Sequence, residues 1–173
     1  MIPEPYRIEP LGKHHDRAAF SCGVEELDEY LRRFVGQDHR RDPTRCFVLV
    51  HPDRSEQILG YYTLSNAAVA RAGDGNDPVR SPYPEIPALL IGRLAVGQNV
   101  QGQGWGRRLV LHVLLHASRL SEESGFALVL VDPIDDRATE FYRRFGFQNL
   151  PGDRRMYLRL KDVRKTLERL GLR

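Results

Sequence analysis

"QGQGWGRRLV" (residues 101–110) is the stretch on which the reading of this chain turns. Gly102, Gly104 and Gly106 alternate with larger residues, and an apolar run follows directly. Each glycine inside a helix weakens it by about 0.5–1 kcal/mol relative to alanine. What the chain gains is chemical. A helix start exposes unpaired backbone N–H groups and the positive end of the macrodipole, and glycines remove the Cβ atoms that would hold an anion off. The stretch therefore reads as a diphosphate-sized anion site. It is not a nucleoside-triphosphate P-loop, because G-x-x-x-x-G-K-[ST] is absent. The G-x-G-x-G spacing also misses the dinucleotide fingerprint, and no acidic residue ends a following strand at the distance that fold needs. A glycine turn with no ligand stays open on these residues alone.

The 173 residues, 41% hydrophobic and 28% charged, suit a single soluble domain with a real core. Residues 1–20 carry Glu4, Arg7, Glu9, Lys13, Asp16 and Arg17, a poor composition for a signal peptide. "FALVLV" (126–131) is far too short to span a bilayer. Cys22 and Cys46, without secretory context, are expected to be reduced thiols, and the expected location is the cytoplasm. The net charge of +3 hides an asymmetry: residues 143–173 hold ten Lys or Arg against three acids. Of the 26 basic residues 23 are Arg, whose fork matches phosphate oxygens, yet charge alone does not make a nucleic-acid binder.

In "VEELDEYLRRFVGQDHRR" (24–41), Leu27, Tyr30, Leu31, Phe34 and Val35 recur at helical spacing, with acids early and arginines late. "RCFVLVH" (45–51) and "ILGYYTLSNAAV" (58–69) read as strands, and the Gly/Pro/Asp-rich residues 71–87 as a loop. "ALLIGRLAV" (88–96) reads as a central strand buried on both faces. A helix over about 104–122, the strand 126–131 and a helix over 135–146 follow. Asp135 or Asp136 caps that last helix and Gly146 ends it. A strand over 154–161 and an amphipathic helix over 162–171 complete an α/β or α+β arrangement around a central sheet.

"Q101-G-Q-G104-W-G106", preceded by "R93-L-A-V96", resembles the Q/R-x-x-G-x-G/A signature of the GNAT family of N-acetyltransferases. "FYRRFGF" (141–147) resembles that family's second cofactor-contacting helix. A narrower likeness covers almost the whole chain. "FSCGVEELDEYLRR" (20–33), "QDHR" (37–40), "ILGYYTLS", "IGRLAV" and "FYRRFGF" together are similar to the acetyltransferase toxins of bacterial type II toxin–antitoxin modules. The resemblance implies one GNAT domain over 1–173, a mixed sheet flanked by helices, with the terminal helix as an extension. It implies acetyl-CoA as the cofactor, the α-amine of aminoacyl-tRNA as acceptor, a ribbon-helix-helix antitoxin as partner, and a homodimer.

The same resemblance assigns roles. The strands ending at Val96 and Val131 would part, and the backbone of Leu94, Ala95 and Val96 would pair with the pantetheine arm. An N–H there can also bond the thioester carbonyl as charge develops on it. Gln101, Gly102, Gln103, Gly104, Trp105, Gly106 and Arg107 would hold the diphosphate, with Arg107 or Arg108 adding charge and the bulky Trp105 pointing outward. Asp132 and Phe145 complete the cofactor's side. Tyr142 is the expected general acid. A neutral tyrosine can protonate a thiolate that is made more basic by a desolvated cleft. Packing beside Phe141 and Phe145, with its hydroxyl satisfied, is its other reading.

No general base stands out. An α-amine titrates near 8 and a lysine near 10.4, so the missing base fits an α-amine acceptor better. Arg32, Arg33, Arg40, Arg41, Arg45 and Arg93 are candidate tRNA contacts, with a second set at Arg143, Arg144, Arg154 and Arg155. Arg93 reads equally well as an inward salt bridge. Such phosphate contacts position RNA without reading its sequence. His112 and His116 stand one turn apart, but "VLL" between them lacks the Glu of H-E-x-x-H, so we assign no metal there. Cys22 reads as a small buried residue. Two other functions remain compatible with the sequence: the same enzyme acting on a small-molecule amine or a protein N-terminus, and a non-catalytic module in a repressor complex.

Overall fold

A computed structural model describes residues 1–41 and 43–172, and for His39 the backbone only. The chain forms two compact units, Met1–Ser65 with Arg93–Val113 and Asn66–Gly92 with Leu114–Arg173. Among the described residues seven strands form one sheet: β1 (Arg7–Pro10), β2 (Arg45–Val50), β3 (Gly60–Ala70), β4 (Glu85–Val96), β5 (Leu128–Val131), β6 (Gln148–Asn149) and β7 (Met156–Arg159). Their order is β1-β2-β3-β4-β5-β7-β6. β1, β2 and β3 pair antiparallel, β4 and β5 pair in parallel, and β7 runs antiparallel to both β5 and β6. The sheet is therefore mixed, as expected. No helix among the described residues is long and apolar enough to cross a membrane.

Each unit has its own core. In the first, Phe20, Leu31, Val35, Val48, Tyr61 and Ala95 pack together. In the second, Ile86, Ala88, Leu128, Leu130 and Leu150 do so. Cys22 and Cys46 are free and buried, as expected of reduced thiols. Burial, then the hydrogen bond with Asp28, pushes the Cys22 thiol up to about 11, so it carries no nucleophilic thiolate at neutral pH.

The helix expected over 24–41 is not continuous. It runs as α1 (Glu25–Glu29), a π-turn (Tyr30–Phe34) and α2 (Val35–Arg40). The wider turn changes the phase of the helix. Leu27, Tyr30, Leu31 and Val35 remain buried, while Phe34 turns outward and is 48% exposed. Leaving a Phe this exposed forgoes much of the roughly 1.5–3 kcal/mol its burial would supply.

Other boundaries moved where pairing overrode local composition. The loop expected over 71–87 ends sooner, because β4 starts at Glu85 and Pro87 O accepts from Ala127 N. The strand expected over 154–161 stops at Arg159, where the Leu160 N–H bonds Ala127 O and α5 (Leu160–Arg169) begins. α3 spans Trp105–Leu120.

α4 (Asp136–Arg143) starts as the sequence indicates, with Asp135 Oδ1 accepting from Ala138 N at 2.7 Å. Gly146, at φ +93°, follows its end. Asp135→Ala should destabilise the protein by about 1 kcal/mol. A thermal melt should register this as a drop of roughly 2–4 °C.

Candidate active site

The glycine loop lies between Val96, the last residue of β4, and Trp105, the first of α3. A short 3₁₀ turn (Gln98–Val100) leads into it. Gly102 and Gly104 hold φ of +76° and +81°, the left-handed region that side chains avoid. A Cβ on either would meet nothing within 4 Å, so these glycines face open space. The first bond that enters the helix is Arg108 N–H to Gly104 O. The N–H groups of Trp105, Gly106 and Arg107 therefore lack intrahelical acceptors. A bare backbone edge with free N–H groups and room beside it fits a diphosphate.

Side chains around this loop divide into struts and donors. Gln101 was expected at the diphosphate, but its amide is a strut: Nε2 donates to Val96 O at 2.8 Å and to Cys22 O at 2.7 Å. Gln98 meets the same segment, donating its N–H to Ser21 O and accepting from Ser21 Oγ. A Cβ at Gly23 would stand 2.9 Å from Gln98 Nε2, so the Cys22-Gly23 pair admits the loop closely. The block at residues 20–23 is thus bolted to the glycine loop. Gln101→Ala should remove about 1–3 kcal/mol of loop support and weaken acetyl-CoA binding in calorimetry while the protein stays folded.

Trp105 does not point outward. It is 6% exposed and packs edge-on against Tyr6 at 4.6 Å, because the N-terminal segment covers the first turn of α3 and buries an indole that water would otherwise meet. Arg108 lies over that indole and bonds Met1 O. Arg107 is exposed and has no partner among the described residues, so it is the cation free to meet an anion.

The parallel register of β4 with β5 ends at Ile91↔Val131, and β4 runs on to Val96. Leu94, Ala95 and Val96 lie past the end of that ladder. Ala95 is buried, and Leu94 and Val96 are half-buried.

In the second unit Tyr142 sits near the end of α4 and is 8% exposed. Phe141 and Phe147 pack edge-on to it at 5.2 and 5.6 Å. The ring is packed as its other reading expects, but its hydroxyl has no hydrogen-bond partner among the described residues. A buried hydroxyl left unsatisfied costs about 1–3 kcal/mol and calls for an explanation. Burial pushes this phenol well above the ordinary tyrosine range, so it keeps its proton.

Phe145 is half-buried against Phe141 at 5.3 Å. Asp132 is held in a two-pronged ion pair by Arg155, Nε to Oδ1 at 2.7 Å and Nη2 to Oδ2 at 2.8 Å. Arg143 pairs with Glu140 and Asn149, and Arg154 with Asp136 and the Ile134 carbonyl. Arg144 is the member of this second set without a partner among the described residues.

The first set of arginines is also sorted by its neighbours. Arg32 pairs with Glu25 and Arg33 with Glu29. Arg40 and Arg41 are exposed and unpartnered among the described residues, and Arg45 is exposed on β2. Arg93 makes no salt bridge among them. Its guanidinium lies 3.5 Å over the Tyr30 ring, and its backbone N–H donates to Thr63 Oγ1. The Tyr30 hydroxyl donates to Asp38 Oδ2 at 2.8 Å. Sequence reasoning missed Tyr30 and Asp38 as supports of Arg93, since nothing near residue 30 signals a partner at residue 93.

Burial, with Arg119 nearby, lowers the pKa of His116. Glu9, His14 and His15 bring their donor atoms within 4.8 Å of one another. His15 Nδ1 accepts from the Gly12 N–H, so in the neutral ring Nε2 carries the proton and donates to Glu9. That leaves His15 no lone pair for a cation.

Residues 42–149 match the acetyltransferase (GNAT) domain. A tRNA-acetylating toxin of Mycobacterium tuberculosis is 34% identical over 154 residues, covering 88% of this chain and 90% of its own. The structure of AtaT complexed with acetyl-methionyl-tRNAfMet superposes with a TM-score of 0.83 at 30% identity, over 92% of this chain and 98% of that one. A mutant AtaT toxin bound to the C-terminus of the antitoxin AtaR and acetyl-CoA gives 0.79 at 29% identity, over 92% and 96% of the two chains. With this domain match over residues 42–149 and a tRNA-acetylating relative aligned over 88% of the chain, the chain belongs to the GNAT acetyltransferase family and is an N-acetyltransferase.

Proposed function

We propose that this protein is the toxin of a toxin–antitoxin module, acts in the cytoplasm, and acetylates the α-amine of aminoacyl-tRNA, which blocks translation. The match to a tRNA-acetylating toxin over nearly the whole of both chains carries this reading. Acetyl-CoA, when bound, supplies the acetyl group as an activated thioester. The free N–H groups of Trp105 to Arg107 and the backbone bared at Gly102 and Gly104 bind its diphosphate, with the Arg107 guanidinium adding charge. The backbone of Leu94 to Val96 orients the arm that follows.

Tyr142 Oη holds the proton that the leaving sulfur needs. An α-amine next to an ester titrates below the ordinary value of about 8, so much of the acceptor is already neutral and no dedicated base is required. Arg40, Arg41, Arg45 and Arg93, together with Arg32 and Arg33, give the RNA a set of phosphate contacts. The partner in this reading is a ribbon-helix-helix antitoxin and the enzyme is a homodimer. Sedimentation of the enzyme alone and with its co-expressed antitoxin tests both assignments.

Charged tRNA incubated with labelled acetyl-CoA should yield labelled N-acetyl amino acid on mild alkaline release. Label found only on protein amines or on small free amines would overturn the assignment.

A further inference from the structure

We propose that Phe34 is a stacking platform for an unpaired base at the single-stranded end of the RNA acceptor, an inference that rests on the function proposed above. The π-turn at Tyr30–Phe34 takes this aromatic off the buried face formed by Leu27, Tyr30, Leu31 and Val35. π-turns of this kind recur at functional positions. The surroundings of Phe34 are basic rather than apolar. Arg32 and Arg33 precede it, and Arg40 and Arg41 follow within two turns, both without a partner among the described residues. The Arg17 guanidinium lies against Gly36, 3.1 Å from where a Cβ would stand, and Arg93 covers the Tyr30 ring. Of the acids on this helix, Asp38 is engaged by the Tyr30 hydroxyl, and Glu25 and Glu29 pair with Arg32 and Arg33, so the unpaired charge beside Phe34 comes, among the described residues, from Arg40 and Arg41.

A protein-docking patch would need contiguous apolar neighbours. Among the described residues the other large exposed hydrophobics are Met1, Tyr83, Ile134 and Leu170, none of them on this helix. A lone aromatic among arginines has instead the composition that holds single-stranded nucleic acid, with guanidinium groups on the phosphates and a ring on a base face. Paired bases offer no such face, whereas the unpaired 3′ nucleotides that carry the aminoacyl ester do.

Phe34→Ala should raise KM for aminoacyl-tRNA by roughly 5- to 150-fold, the range that loss of one base–aromatic stack supports. At saturating tRNA kcat should stay within about twofold, because the ring lies outside the reacting atoms. Phe34→Trp should restore KM and Phe34→Leu should not, since leucine is apolar without a π-face. Acetyl-CoA affinity and the salt dependence of tRNA binding should match the native protein, as the ring meets no phosphate, and the melting temperature should fall only slightly, as the ring is 48% exposed. An unchanged KM in Phe34→Ala, or equal rescue by Leu and Trp, would overturn the stack. So would a loss of dimer or antitoxin binding with KM for tRNA intact, which would make this face a protein interface. A second readout does not depend on acetyl transfer. Fluorescence of the new indole in Phe34→Trp should be quenched by a short single-stranded RNA ending in CCA and far less by a blunt duplex, and equal quenching would refute the platform. If native enzyme fails to label charged tRNA while the quenching persists, the function proposed above fails and the RNA platform stands.

Discussion

Tyr142→Phe should lower kcat for acetyl transfer by about 10²–10⁴-fold, the usual contribution of a positioned general acid. Acetyl-CoA affinity should not change, because the ring keeps its place between Phe141 and Phe147. The same substitution should raise the melting temperature. Removing a buried hydroxyl that has no partner among the described residues relieves a cost of about 1–3 kcal/mol. For a chain of this length that is a rise of several degrees, at roughly 2–4 °C per kcal/mol. A variant more stable and nearly inactive would identify the hydroxyl as functional; full activity would remove Tyr142 from the chemistry. The pH profile carries the same signature. Because burial raises this phenol's pKa, the proton-donating form persists through neutral pH and is lost only above the ordinary tyrosine range near 10. The rate should therefore climb with pH as the acceptor amine deprotonates, with no early alkaline fall from the tyrosine.

Gly104→Val is the second large effect. At φ +81° a valine is displaced from its allowed backbone region, at a cost of about 1–2 kcal/mol before any contact is counted. A β-branched side chain would also fill the open space beside the loop. Acetyl-CoA Kd should rise by at least about 10-fold in calorimetry, since the backbone strain alone accounts for roughly 5–30-fold. The melting temperature should fall by no more than several degrees, the roughly 2–4 °C per kcal/mol that the backbone strain alone supplies, because a Cβ at this position meets no protein atom within 4 Å and adds no clash. Gly104→Ala should fall between the two. Native affinity in Gly104→Val would remove the loop from the cofactor site.

The legible parts of this protein were those whose energetics are local. The glycine loop, the start of α3, the Asp135 cap and Gly146 at the end of α4 are set by backbone preferences within a few residues, and the sequence states them directly. The α/β or α+β arrangement around a central sheet followed from strand and helix periodicities of the same short range, while the mixed character of that sheet came only from the family resemblance.

What the sequence left open was set by partners distant along the chain. The stretch Arg7–Pro10 carries no strand signal of its own and becomes β1 by pairing with β2. Arg93 rests on Tyr30, Gln101 reaches Cys22, Asp132 is taken by Arg155, and Trp105 is buried under Tyr6. Helical spacing placed Phe34 with its buried neighbours, and a π-turn carried it out to the arginines. Sequence by itself determined the fold class and the backbone conformation of the glycine loop, because torsional and capping preferences act between near neighbours. Tertiary structure alone decided which side chains are struts and which, among the described residues, have no protein partner, because those depend on pairings between residues tens of positions apart.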